Sequence, residues 1–139
     1  MFYQPLLLPL LIQVLLTFVV WLRMYFCRIA EMQEKNIAAQ QIDTRANGRA
    51  LLTDSAASAD NFSNQFEMPV LFYLAIVLAL MLLIQDYVLV VFAWLYVALR
   101  IVHAFIHTTY NDVMHRFVVY IASCAALFIL WVRLAWHIL

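Results

Sequence analysis

Charge is what this chain has least of. Asp, Glu, Lys and Arg make up 12% of its 139 residues, against 68% apolar. A soluble domain carries about 25% charged and about 45–50% apolar residues. The deficit excludes an ordinary soluble globule, which would have too few polar groups to cover its surface; a lipid-facing exterior needs none. Net charge is zero, so neither nucleic acid nor an acidic partner is indicated. Cysteine is limited to Cys27 and Cys124, with no Cys-x-x-Cys pair. That argues against a disulfide framework and leaves two small apolar fillers. Glycine occurs once, at Gly48. No basic residue precedes the first apolar run and no small-residue cleavage pattern follows it. No secretory signal is therefore expected, and the run from Pro5 is read as a retained span. There is no internal repeat or low-complexity tract.

What is present is four apolar runs, at about 5–22, 63–84, 87–109 and 113–136. Each is near the roughly 17–25 residues that cross a bilayer as a helix. The expected fold is all-α, an integral membrane four-helix bundle forming one domain over residues 1–139. In the first run Gln13 and Thr17 lie one turn apart on one face. Pro5 and Pro9 sit in the opening turns, where a missing N–H does little harm. Residues 23–61 form a polar connection holding ten of the sixteen formal charges. Glu31 and Lys35 are spaced for an i,i+4 pair, so the first helix is expected to continue to about Ala46. Gly48 is its expected stop, and Leu51 to Asn61 the connector to the second span. Asn61 or Ser63 is placed to cap that span, and Asn111 or Asp112 the last.

Gln85-Asp86 reads as a tight turn, and short connections make the last three helices antiparallel neighbours. Ala75 with Ala79 and Ala122 with Ala126 permit close helix approach in lipid. Five of the eight Lys and Arg residues lie between Arg23 and Arg49. The positive-inside rule therefore puts the 23–61 connection in the cytoplasm and both termini outside, with only Arg133 and His137 against it.

An ionisable group at the centre of a span costs about 2.5–3.5 kcal/mol on insertion scales, so those that persist call for an explanation. Asn64 and Glu67 share a face of the second helix. Arg100, His103, His107 and Tyr110 fall within about an 80° arc of the third. Arg116 and Tyr120 lie one turn apart on the fourth, and Ser123 continues that face. By the orientation above, the three faces meet near the cytoplasmic end, with Arg100 deepest. One reading is a structural network in which Arg100 pairs with Glu67 and the rest satisfy one another. The other is a pocket for an anionic or amphipathic small molecule, because two arginines against one acid leave positive charge suited to a carboxylate or thiolate. A metal held by His103 and His107, with His115, Asp112 or Glu67 as further ligands, is opposed by the nearby arginines.

The pattern of these residues resembles the MAPEG family, the membrane-associated proteins in eicosanoid and glutathione metabolism. Asn64-x-x-Glu67 followed by Pro69 resembles the family's second-helix motif, and Arg100-x-x-His103 its third-helix motif. Arg116-x-x-x-Tyr120 resembles the fourth-helix motif, and the likeness extends over nearly the whole chain. The resemblance implies a homotrimer that binds glutathione between subunits near the cytoplasmic face. It also implies that Arg116 stabilises the glutathione thiolate, while Asn64, Glu67, Arg100, His103 and Tyr120 hold the peptide or support the site. His107 is a ligand contact, a general base or a member of the network. Two positions depart from the family pattern. Asp60 stands where family enzymes commonly carry an arginine, and an acid there weakens binding of a glutathione carboxylate; His107 stands where they commonly carry a tyrosine. The function implied is a glutathione-dependent transferase or peroxidase acting on apolar electrophiles or lipid hydroperoxides. The alternatives are a non-catalytic lipid-binding membrane protein and an enzyme using another small thiol or a metal.

Overall fold

At lipid depth a backbone must satisfy its own hydrogen bonds, and an isolated chain can do so as helix. The computed structural model describes residues 5–139 and is helical in this way. It contains α1 (Leu7–Glu34), a 3-10 turn (Ala39–Ile42), α2 (Arg45–Leu51), α3 (Ala56–Asn64), α4 (Met68–Met81), α5 (Tyr87–Thr108) and α6 (Val113–Ile138), with no strand among the described residues. Four stretches are long and apolar enough to cross a membrane: α1, Ala56–Met81 (which joins α3 and α4), α5 and α6.

α1 has 28 residues, a length of about 42 Å at 1.5 Å per residue, against a hydrocarbon core of about 30 Å. Its C-terminal turns therefore project beyond the apolar layer. The helix stops at Glu34 and does not reach Ala46. Asn36 takes a left-handed conformation (φ 51°), Ile37 N–H returns to the Met32 carbonyl at 2.9 Å and Asn36 N–H to Gln33 at 3.4 Å. This is the paired closure that ends many helices, with Asn in the position glycine usually takes. Gly48 is not a stop; it lies inside α2, a short helix capped by the Thr44 hydroxyl.

The connection folds back because of one carboxylate. Glu31 is 4% exposed. It pairs with Lys35 (2.5 Å), as the spacing predicts, and Lys35 also reaches Asp54 (2.9 Å). Its two oxygens also accept the Asp54 N–H (2.9 Å), the Ser55 N–H (2.8 Å) and the Ser55 hydroxyl (2.6 Å). These donors sit at the start of α3, where helical N–H groups lack intrahelical partners.

The bundle core is formed mainly by α4, α5 and α6: Phe72, Ala75 and Ile76 against Ala93, Tyr96 and Val97, with Leu127, Leu130 and Leu134 closing it. Phe72 and Tyr96 stack at 4.7 Å. Ala75 and Ala79 are buried, as are Ala126 and, in part, Ala122, which fits close helix approach. Large apolar side chains such as Leu15, Phe18, Phe105 and Phe128 face outward, as a bilayer-embedded exterior requires. At the far end Asp86 caps α5 through Val88 N–H (2.8 Å) and also binds Arg133 (2.5 Å) and His137 (2.7 Å) of α6. The two basic residues that stood against the charge asymmetry are thus engaged by an acid.

Candidate functional site

The site begins with a break in a helix. Pro69 has no N–H to give the Gln65 carbonyl, and its ring crowds that carbonyl. The second span is consequently interrupted between Asn64 and Met68. In an unbroken helix the Asn64 carbonyl would accept the Met68 N–H. Here it accepts the Arg100 Nη2 at 2.8 Å. Arg100 is fully buried at 0% exposure, and its Nε and Nη1 have no partner among the described residues. The break leaves Glu67 exposed as the N-cap of α4. Among the described residues Arg100 and Glu67 form no ion pair. The expected pairing is thus replaced by a bond to backbone, and Glu67 instead lies within Coulomb range of Tyr120.

Arg100, His103 and His107 follow one another along the buried face of α5. The His103 ring lies 5.8 Å from that of His107 and 5.7 Å from that of Tyr120. Arg100 stands 5.8 Å over the Tyr120 ring, within cation–π range. Arg116 reaches both histidines electrostatically and donates from Nη1 to Asn111 Oδ1 at 2.7 Å. Ser123 is buried and bonds back to the Tyr120 carbonyl at 2.7 Å. Tyr110 falls outside the cluster: it lies past the end of α5, is exposed, and packs edge-on to His115. The structure therefore brings Arg100, His103, His107, Arg116 and Tyr120 together, joined to Asn64 through its carbonyl. Asp60 lies within Coulomb range of His107. No set of three or more His, Cys, Asp or Glu able to hold a metal occurs among the described residues.

Sequence reasoning missed a second polar group beside the first. Asn61, expected as a cap, is inside α3, fully buried, with Nδ2 donating to the Ala104 carbonyl at 3.4 Å. One turn on, Gln65 accepts from Gln13 Nε2 of α1 at 3.1 Å. The available signal was Gln13 itself, an amide inside an apolar run that needs a partner at lipid depth. Together these contacts tie α3 and its C-cap to α1 and α5.

The arrangement offers a recessed positive charge, two imidazoles and a phenol, on the facing sides of α5 and α6. It suits a small anion with hydrogen-bonding groups better than a cation. Neither a curated protein nor a solved structure matches the chain. The MAPEG family model matches residues 6–136, nearly the full length, and the chain belongs to the MAPEG family.

Proposed function

We propose that this protein is a glutathione-dependent membrane transferase or peroxidase, with apolar electrophiles or lipid hydroperoxides as its second substrate. Membership of a family of glutathione and eicosanoid metabolism supports the class of activity. The observation that carries the reading is the gathering of Arg100, His103 and His107 against Tyr120, with Arg116 one turn before it on α6 and, among the described residues, no carboxylate bonded to either guanidinium. The surplus positive charge matches a peptide that carries carboxylates and reacts as a thiolate.

A thiol of ordinary pKa, about 8.5, is mostly protonated at neutral pH. Each unit of depression takes about 1.36 kcal/mol of preferential thiolate stabilisation. A guanidinium in a low-dielectric pocket supplies one or two such units. Arg116, half-buried in the first turn of α6, has the role of thiolate stabiliser. Arg100, fixed to backbone, holds positive charge at depth. Asn64, Glu67, His103, His107 and Tyr120 supply hydrogen bonds to the peptide or to one another. With an electrophile the sulfur forms a bond to carbon as the leaving group departs. With a hydroperoxide it attacks oxygen, the O–O bond breaks and the alcohol leaves after protonation; a second thiol then converts the sulfenic acid to disulfide and water. The assembly proposed is a homotrimer, with residues 23–61 in the cytoplasm and both termini outside.

The test is glutathione binding to the detergent-purified protein, with thiolate absorbance followed across pH. Saturable binding with a depressed thiol pKa, lost in Arg116→Ala, is the expected result. Absence of binding at millimolar glutathione overturns it. The second reading, lipid binding without catalysis, is favoured by Asp60, whose carboxylate lies near His107 and opposes an anionic peptide.

A further inference from the structure

The connection between α1 and α4 borders a cavity that none of Asn64, Glu67, Arg100, His103, His107, Arg116 and Tyr120 lines. It has a volume of about 540 Å³ and lies between the projecting end of α1, α2 and α3. Arg28 enters it from α1, and Arg45 and Arg49 from α2, against two acids, Asp43 and Asp60. Asp43 is already engaged by the Asn47 side-chain amide at 2.7 Å. Among the described residues none of the three arginines forms an ion pair. Arg28 Nε is buried there with no partner.

Gly48 sits between Arg45 and Arg49 in the same wall, and neither conformation nor crowding accounts for a glycine there. Its φ is not positive. A Cβ built on it meets nothing within 4 Å. A glycine inside a helix is destabilising relative to alanine. What the missing side chain does provide is open space beside the guanidinium groups.

The cavity also has an apolar side, formed by Met24, Phe62 and Phe66. The first apolar run ends at about residue 22 and α1 continues through Met24 to Arg28, so this part of the helix crosses the headgroup layer. The basic wall therefore lies at headgroup depth and the apolar side adjoins the acyl chains.

We propose that this cavity binds the phosphodiester headgroup of an anionic phospholipid. The phosphate is held by Arg28, Arg45 and Arg49 in the space over Gly48, and the upper acyl chain lies along Met24, Phe62 and Phe66. Arginine suits a phosphate through paired N–H donors, and the apolar side selects a lipid over a free anion. The occupant ties α1 to α2 and orders the connection.

The experiment is native mass spectrometry of the full-length, detergent-purified protein titrated with phosphatidylglycerol, with phosphatidylcholine, or with inorganic phosphate. Wild type retains phosphatidylglycerol over phosphatidylcholine by roughly tenfold, and Arg45→Gln and Arg49→Gln each weaken it by roughly fivefold. Gly48→Leu fills the cavity while raising the helix propensity of α2, so it loses the lipid and keeps its fold by circular dichroism. Equal retention of the two lipids by wild type overturns the proposal. So does unchanged affinity in the two arginine variants, a pair that remains testable should Gly48→Leu fail to fold. Displacement of the lipid by millimolar phosphate overturns the membrane source and leaves a soluble anion.

Discussion

Replacing Glu31 by Gln keeps the size of the side chain and removes its charge. In the structure one carboxylate oxygen accepts Lys35 and the Asp54 N–H, and the other accepts both the N–H and the hydroxyl of Ser55. Glutamine keeps one acceptor. Its NH2 must then face either the Ser55 N–H, which is a donor meeting a donor, or the Lys35 ammonium. Hydrogen bonds to a charged group contribute about 1.5–3 kcal/mol each. Losing the N–H bond to Ser55 and weakening the rest is worth about 3 kcal/mol. Because these bonds fasten the connection and not the bundle core, the loss appears as local opening of residues 35–55. At about 1.4 kcal/mol per decade that is roughly a hundredfold rise in proteolytic cleavage there, under conditions where cleavage follows the open population. The assay is limited trypsin digestion of the detergent-solubilised protein, which has Lys35, Arg45 and Arg49 as sites in that segment. Lys35→Ala is the control. It removes two partly exposed ion pairs, to Glu31 and to Asp54, and leaves the three bonds that Glu31 accepts from Asp54 and Ser55, so its effect is much smaller. Cleavage at Arg45 and Arg49, the sites both variants keep, no faster in Glu31→Gln than in Lys35→Ala refutes the assignment of Glu31 as the fastener.

Two further outcomes are expected. Burial pushes the Asp86 carboxyl up, but hydrogen bonds from His137, Arg133 and the Val88 amide outweigh it and lower its pKa from 3.8 to about 2. A depressed folded-state pKa stabilises above the unfolded value and is lost as pH falls through the folded one. The thermal-stability advantage of wild type over Asp86→Asn should therefore be constant above pH 3.8 and shrink towards pH 2, and an advantage independent of pH in that window contradicts it. Separately, Gln13→Leu leaves the buried Gln65 Oε1 without its donor, at a cost of about 1–3 kcal/mol. Gln13→Leu with Gln65→Leu should recover part of that loss in detergent unfolding; strictly additive losses count against a direct bond.

Much of the fold is legible in the sequence because lipid imposes few alternatives. An apolar run of span length must be helix, and four of them make a bundle. The site's residue types are also legible, because buried charge at lipid depth is rare enough to stand out. What the sequence does not reveal is where backbone geometry overrides side-chain pattern. Glu31 and Lys35 support a longer helix, yet the same Glu31 draws the chain back to Ser55. Arg100 and Glu67 look like partners by charge. Pro69 breaks the second span between Asn64 and Met68, exposes the acid and offers the arginine a carbonyl. Asn61 has the composition of a cap and the location of a core residue, because α3 begins earlier, at the fastened Ser55. In each case the deciding contact lies many residues away along the chain.

The bond from Arg100 to the Asn64 carbonyl separates two jobs that usually compete. A guanidinium held by a neighbouring side chain is lost or misplaced when that neighbour changes. Held by main chain, it keeps its place whatever side chain residue 64 carries, as long as Pro69 keeps the helix open. The wall of the pocket can then be re-shaped at position 64 to suit a different guest without unseating the buried charge.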